Sequence, residues 1–297
     1  FLEDGSRVLF FANTGLAPVR TKATLEGGAI EAWDTVTGRI SPVPLPLDLD
    51  LPPAGSALYV VKPSGPAAPS RSAARFTPLE PRNWTIRADA PNVLALDYCD
   101  LKLAGAEYRD VNTWQANWTL WQAHGFERPA WDNAVQFQTR IFDRNRFAPD
   151  SGFEATFRFH VAEAAALSGL ELAVETPELY RITLNGSEVS FTDAPRWLDP
   201  RLRSAAVEKW ARVGDNEVKL TAHPFDVRME LENLYLRGGF SVLPQEKGFR
   251  LAAPAKLDFG SWARQGYPFY GDSVVYQAEV DVPAPSNRLR VELGGWE

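Results

Sequence analysis

Trp114, Trp118, Trp121 and Trp131 crowd into one stretch of the chain, interleaved with Gln115, Asn117, Gln122 and His124. Indole faces pack against the C–H faces of pyranose rings, while amide and imidazole groups beside them bond the equatorial hydroxyls. The first three indoles recur at i, i+4 and i+7, so a helix would align them in one stripe. Two readings follow. Trp114, Trp118, Trp121, His124 and Trp131 form a carbohydrate platform, or the stripe buries its large apolar area as an anchor against a neighbouring sheet.

Other chemistry has less support. Glycoside hydrolysis needs two carboxyl groups, about 5 to 5.5 Å apart for retention or roughly 6.5 to 9.5 Å for inversion. Glu127, Asp132, Asp143 and Asp150 share the aromatic, loop-rich neighbourhood, but nothing in their spacing makes any two converge, and no catalytic residue is assigned. His124, His160 and His223 lack ligand spacing, so no transition-metal site is expected. Cys99 is the sole cysteine, which excludes an intrachain disulfide and a paired-thiolate zinc site. Its apolar strand setting makes it a packing thiol. Asp193, Asp199, Asp215 and Asn216 offer hard oxygens to a structural calcium, yet the same residue types form ordinary turns, and we read them so. No cofactor is expected.

These residues must be positioned by β structure. Among 297 residues, 23 Pro and 21 Gly break the chain into short pieces filled by Phe, Trp, Tyr, Val and Thr. A hydrophobic content of 45% is enough for a packed interior. Lys and Arg total 31 against 38 Asp and Glu, a net charge of −7, which leaves no basic field for nucleic acid. No apolar run reaches the roughly 18 to 20 residues that span a bilayer.

Residues 1–62 read as a small antiparallel meander: a buried strand over Arg7 to Gly15 that ends in a turn, then strands at Thr21 to Leu25, Ile30 to Trp33 and Ser56 to Val61, with 42–53 a Pro-rich connection. Residues 63–75 are a Pro/Ser linker. Residues 76–243 carry the clearest period-two runs, Phe153 to Val161 and Leu170 to Glu175. Hairpins are expected at Ala104-Gly105 and at Asn185-Gly186, the latter a turn whose positive φ angles suit Asn and Gly. Residues 244–297 repeat the pattern in Val274 to Val282 and Arg288 to Leu293 and read as the truncated start of a second sandwich. The opening at Phe1, with neither Met nor signal peptide, reads as a fragment.

Three features in order resemble the galactose-binding-like jelly roll that accompanies family 2 glycoside hydrolases and the large, family 106-like α-L-rhamnosidases: the strand Phe153 to Val161, the segment Leu184-Asn185-Gly186, and Trp197-Leu198-Asp199 leading to Gly214-Asp215-Asn216. Phe11-Ala12-Asn13-Thr14 and Trp33 to Gly38 are similar to the small β-domain that follows the barrel in such enzymes. The resemblance implies an all-β fold: a small antiparallel β-domain, a jelly-roll β-sandwich with a Trp-rich insertion, and the start of a second sandwich. It also implies a catalytic barrel N-terminal to Phe1 as the partner, polysaccharide as a contact, and an extracellular or periplasmic location. The expected role is the non-catalytic part of a large glycoside hydrolase. An independent carbohydrate-binding module and a structural cell-surface β-protein are the alternatives.

Overall fold

The computed structural model describes residues 1–25, 28–63, 78–129, 140–282 and 291. The chain divides into two units, Phe1–Pro78 and Leu79–Glu297. Nearly all regular structure is β, in antiparallel sheets of the sandwich type.

The first unit holds β1 (Arg7–Ala12), β2 (Val19–Ala23), β3 (Ile30–Trp33), β4 (Ile40–Val43), β5 (Leu47–Leu51) and β6 (Ser56–Val61). It is not a meander. The strands run β1-β6-β3-β4 in one sheet and β2-β5 in another. The first strand pairs with the last: β6, with Tyr59, Val60 and Val61 buried, lies between β1 and β3. β5 lies inside the stretch expected to be a connection. Its Leu47, Leu49 and Leu51 alternate with Asp48 and Asp50, and all three leucines are buried.

In the second unit the strands begin with β7 (Arg82–Ala88), β8 (Asn92–Leu96), β9 (Tyr98–Leu103) and β10 (Ala106–Asn112). Helix α1 (Thr113–Ala123) follows at once. Then come β11 (Phe153–Val161), β12 (Glu171–Glu175), β13 (Arg181–Leu184), β14 (Ser187–Glu188), β15 (Arg196–Trp197), β16 (Asp199–Ala206) and β17 (Gly214–Ala222). The last strands are β18 (Leu234–Gly238), β19 (Ser241–Pro244), β20 (Phe249–Ala252) and β21 (Val274–Glu279).

One sheet runs β10-β9-β11-β17-β13-β14, with β20 added to β11 in parallel and β19 to β20. The other runs β15-β16-β12-β18-β8. Phe153, Ala155, Phe157, Phe159 and Val161 of β11 alternate inward and meet Leu172 and Val174 of β12 and Leu234 and Leu236 of β18 in one core. Ala104 and Gly105 both have positive φ, as do Asn185 and Gly186, so the two expected hairpins form through the turn that such angles allow.

β20 extends the first sheet beyond residue 243, where the sequence places the end of the sandwich. β21 pairs with β7 in a separate ribbon whose inner side packs Ile86 against Leu257, Tyr267 and Tyr270. Trp131, Asp132, most of the expected linker and most of the run Arg288 to Leu293 lie outside the described residues.

Candidate functional site

Helix α1 places the tryptophan stripe. Asn112 caps it, its side chain accepting from the Trp114 N–H at 3.1 Å, and the Thr113 N–H donates to the Asp97 carbonyl at 2.9 Å. Asn117 is buried and accepts from the Leu231 N–H at 3.1 Å. Thr113 donates its hydroxyl to Asn233. The helix is therefore fixed to the segment before β18, and its inward face is Thr113, Ala116, Asn117, Leu120 and Trp121.

That orientation splits the expected platform. Trp121 is completely buried, with edge-to-face contacts to Phe126 at 5.0 Å and Phe225 at 5.5 Å, so it offers no surface to a ligand. His124 stacks on Phe225 at 4.0 Å between ring centroids. Its Nδ1–H donates to the Leu120 carbonyl at 2.8 Å, while Nε2 accepts from the Gly152 N–H at 3.3 Å. Both ring nitrogens are committed to the backbone, which gives the imidazole a structural role. Gly152 is itself required: its φ is +113°, and a Cβ there would lie 1.8 Å from the Ala222 carbonyl oxygen.

Among the described members Trp114 and Trp118 remain accessible. Trp114 is 67% exposed, a large apolar area to leave in water. Its ring lies 5.7 Å from that of half-buried Trp118, tilted by 49°. The Trp118 Nε1–H is buried with no hydrogen-bond partner among the described residues. Gln115 and Gln122 are exposed on the same helix. The pair can present one aromatic surface with amide groups at its margin.

The carboxylates do not assemble around it. Glu127 is exposed and pairs with Arg128 at 3.7 Å; Asp143 and Asp150 are exposed as well. Among the calcium candidates Asp199 forms a turn, while Asp215 bonds across the β11–β17 pair. Asp199 accepts from the N–H groups of Arg201 and Leu202, and Asp215 from His160 Nδ1 at 2.7 Å. Among the described residues no group of three or more His, Cys, Asp or Glu is placed to hold a metal ion. Cys99 is buried, and burial pushes its thiol up to about 12.

The motif asparagines turn out to be a lock between two turns. The Asn185 side-chain amide donates to the Trp210 carbonyl and to Asn216 Oδ1 at 2.9 and 2.8 Å. Asn185 Oδ1 in turn accepts from the Glu217 N–H. Asn216, buried, donates to the carbonyls of Arg212 and Gly214 and accepts from the Arg212 N–H.

One cluster has no signal in the sequence. Glu175, at the end of β12, meets Glu230 and Glu232 beside Tyr180 and Asn233. Burial first, then the charges of Glu232 and Glu175 and a hydrogen bond shared with Glu232, raise Glu230 to about 8. Burial and the charges of Asp199 and Glu232 raise Glu175 too, opposed by Arg201 at 4.0 Å. Tyr180 donates its hydroxyl to the Glu230 carbonyl at 3.1 Å and is raised by burial and by Glu175. Two carboxyls sharing a proton resemble a glycosidase acid, but the gap they line has no room even for water, so no sugar fits between them.

No family model matches the sequence, and no curated protein matches it. Among solved structures the chain is similar to a rhamnosidase from Novosphingobium sp. PP1Y, at 14% identity over 77% of this chain and 22% of that one, with a TM-score of 0.24. It is similar to an α-L-rhamnosidase of Streptomyces avermitilis at 14% identity, 90% and 24% coverage and a TM-score of 0.25. A β-porphyranase of glycoside hydrolase family 86 from Bacteroides plebeius matches at 11% identity, 84% and 36% coverage and 0.19. The chain spans 22% to 36% of the length of these three structures.

Proposed function

We propose that this chain is the non-catalytic accessory part of a larger, secreted or periplasmic glycoside hydrolase of the α-L-rhamnosidase kind. Its jelly-roll sandwich supports an N-terminal catalytic barrel, and its Trp114–Trp118 surface contacts polysaccharide. The observation that carries the reading is the exposed Trp114 ring beside Trp118, on a helix whose other face is locked into the core. A rigid, solvent-facing indole loses little conformational entropy when a sugar ring stacks on it, which is the economy that aromatic binding surfaces use.

The parent enzyme is suggested by the resemblance of the Asn185-Gly186 and Gly214-Asp215-Asn216 turns, whose interlocked asparagines hold two strands of one sheet in register. The non-catalytic role is supported by the sharing carboxyls Glu230 and Glu232, which line a gap too narrow to admit a sugar.

The test is retention of the purified chain in gels containing rhamnose- or galactose-bearing polysaccharide, run beside the Trp114→Ala/Trp118→Ala double variant and an aryl-glycoside hydrolysis assay. The reading expects retention, its loss in the double variant with the fold intact, and no hydrolysis. Hydrolysis by this chain alone, or retention untouched by the double substitution, overturns it.

A further inference from the structure

A cavity of about 360 Å³ opens in the second unit between the 3-10 turn Pro177–Leu179 and the loop that follows β14; no residue of α1 lines it. Its floor is preformed. Pro177, Ile182 and Val189 are buried and give it an apolar base, and half-buried Phe191 supplies an aromatic wall. The volume falls within the range of small-ligand sites.

The rim is polar and asymmetric in charge. Glu178 and Asp193 contribute two carboxylates, Arg203 one guanidinium and Thr192 a hydroxyl, for a formal charge of −1. The loop that carries Asp193 is braced locally. The Ala194 N–H donates to the Phe191 carbonyl at 3.1 Å, and Arg203 Nη1 donates to the Ala194 carbonyl at 3.4 Å. Asp193 sits at φ +60°, a conformation that Asp and Asn tolerate better than most residues.

An apolar floor with one aromatic wall fits a ligand that has a C–H face. Carboxylates at the rim fit one whose edge carries hydroxyl donors, because each ionised carboxylate only accepts and can take two neighbouring O–H groups. Arg203 retains guanidinium N–H groups for a ring or hydroxyl oxygen. Negative rim charge disfavours anions. We propose that this cavity binds a single neutral pyranose unit and excludes uronic, sulfated and phosphorylated sugars. The proposal rests on the carbohydrate-contacting reading above but places a second contact, independent of Trp114.

A single ring in an open cavity binds in the roughly millimolar range by its atom count. The experiment is titration of the isotopically labelled full chain with the methyl glycosides of rhamnose, galactose and glucose, and with galacturonate, followed by amide chemical shifts. Saturable shifts are expected at Thr192, Asp193 and Ala194 with at least one neutral glycoside, and none with galacturonate at the same concentration. Asp193→Asn, an exposed change that keeps the backbone conformation, should weaken that binding at least about tenfold, and Trp114→Ala should leave it unchanged. Absence of shifts with all three neutral glycosides at tens of millimolar, equal response to galacturonate, or persistence in Asp193→Asn overturns the proposal. Failure of the cavity with polysaccharide retention through Trp114 intact removes this site alone. Cavity binding without retention removes the Trp114 platform instead.

Discussion

Replacing Glu230 with Gln removes a carboxyl that the fold holds protonated far above its ordinary range. In the unfolded chain Glu230 ionises near 4.5; in the folded chain burial and the charges of Glu232 and Glu175 defer this to about 8. Below 4.5 the group is protonated in both states and contributes nothing to pH dependence. Between these values the folded state binds the extra proton, so raising the pH favours unfolding, and above about 8 the loss is complete. In a dry interior that separation would be worth on the order of 5 kcal/mol. Glu230 is only part-buried and Glu232 is exposed, so screening by water reduces it to roughly 1–2 kcal/mol. Glu230→Gln keeps the shape and removes the titration. Urea unfolding at pH 5 and pH 8.5 should show wild type losing about 1–2 kcal/mol more than the variant between the two, with Glu230→Gln the more stable protein at pH 8.5. Equal pH dependence in both proteins, or a less stable variant at pH 8.5, refutes the assignment.

Trp121→Ala empties a fully buried indole site and should cost about 3–5 kcal/mol in chemical unfolding, while Trp114→Ala, on the exposed side of the same helix, should stay within about 0.5 kcal/mol. Gly152→Ala drives a Cβ into the Ala222 carbonyl at a positive φ and should lower stability by about 3 kcal/mol or more, read as a fall in Tm; a neutral result would contradict the close approach. Asn216→Asp cannot donate to the carbonyls of Arg212 and Gly214 and should cost about 2–3 kcal/mol, with raised amide hydrogen exchange at Asn185 and Glu217 as the local signature.

What could be read from the sequence was what is decided locally. The Asn185-Gly186 hairpin follows from residues that adopt positive φ, and β11 from a period-two apolar run with one buried face, whereas β12 alternates in sequence yet buries Leu172, Ala173 and Val174 in succession and so is covered on both faces. Pairing between distant strands was not legible: β1 meets β6 in one sheet and β2 meets β5 in another, partners too far apart in the chain for any short window to contain. β5 was hidden by its neighbours. Leu47-Asp48-Leu49-Asp50-Leu51 alternates cleanly, but the prolines around it outweighed the pattern.

The candidate site divides the same way. Helical spacing of Trp114, Trp118 and Trp121 was visible, whereas the face that turns inward is set by Phe126 and Phe225 from outside the helix. His124 read as a hydroxyl ligand because its backbone partners, Leu120 and Gly152, cannot be inferred from type and position. Glu175 and Glu230 come from strands and loops far apart in the chain, so their mutual effect exists only after folding. The cavity near Phe191 is likewise a product of two loops meeting.

Calorimetric titration of the folded chain with oligosaccharides released from a rhamnose-bearing polysaccharide, repeated on Trp114→Ala, is the most direct measurement of the central claim. The expected result is saturable binding that weakens at least about tenfold in the variant, equivalent to ~1.4 kcal/mol, with the oligosaccharides recovered uncleaved. Affinity unchanged by Trp114→Ala, or shortened oligosaccharides in the calorimeter cell, would contradict it.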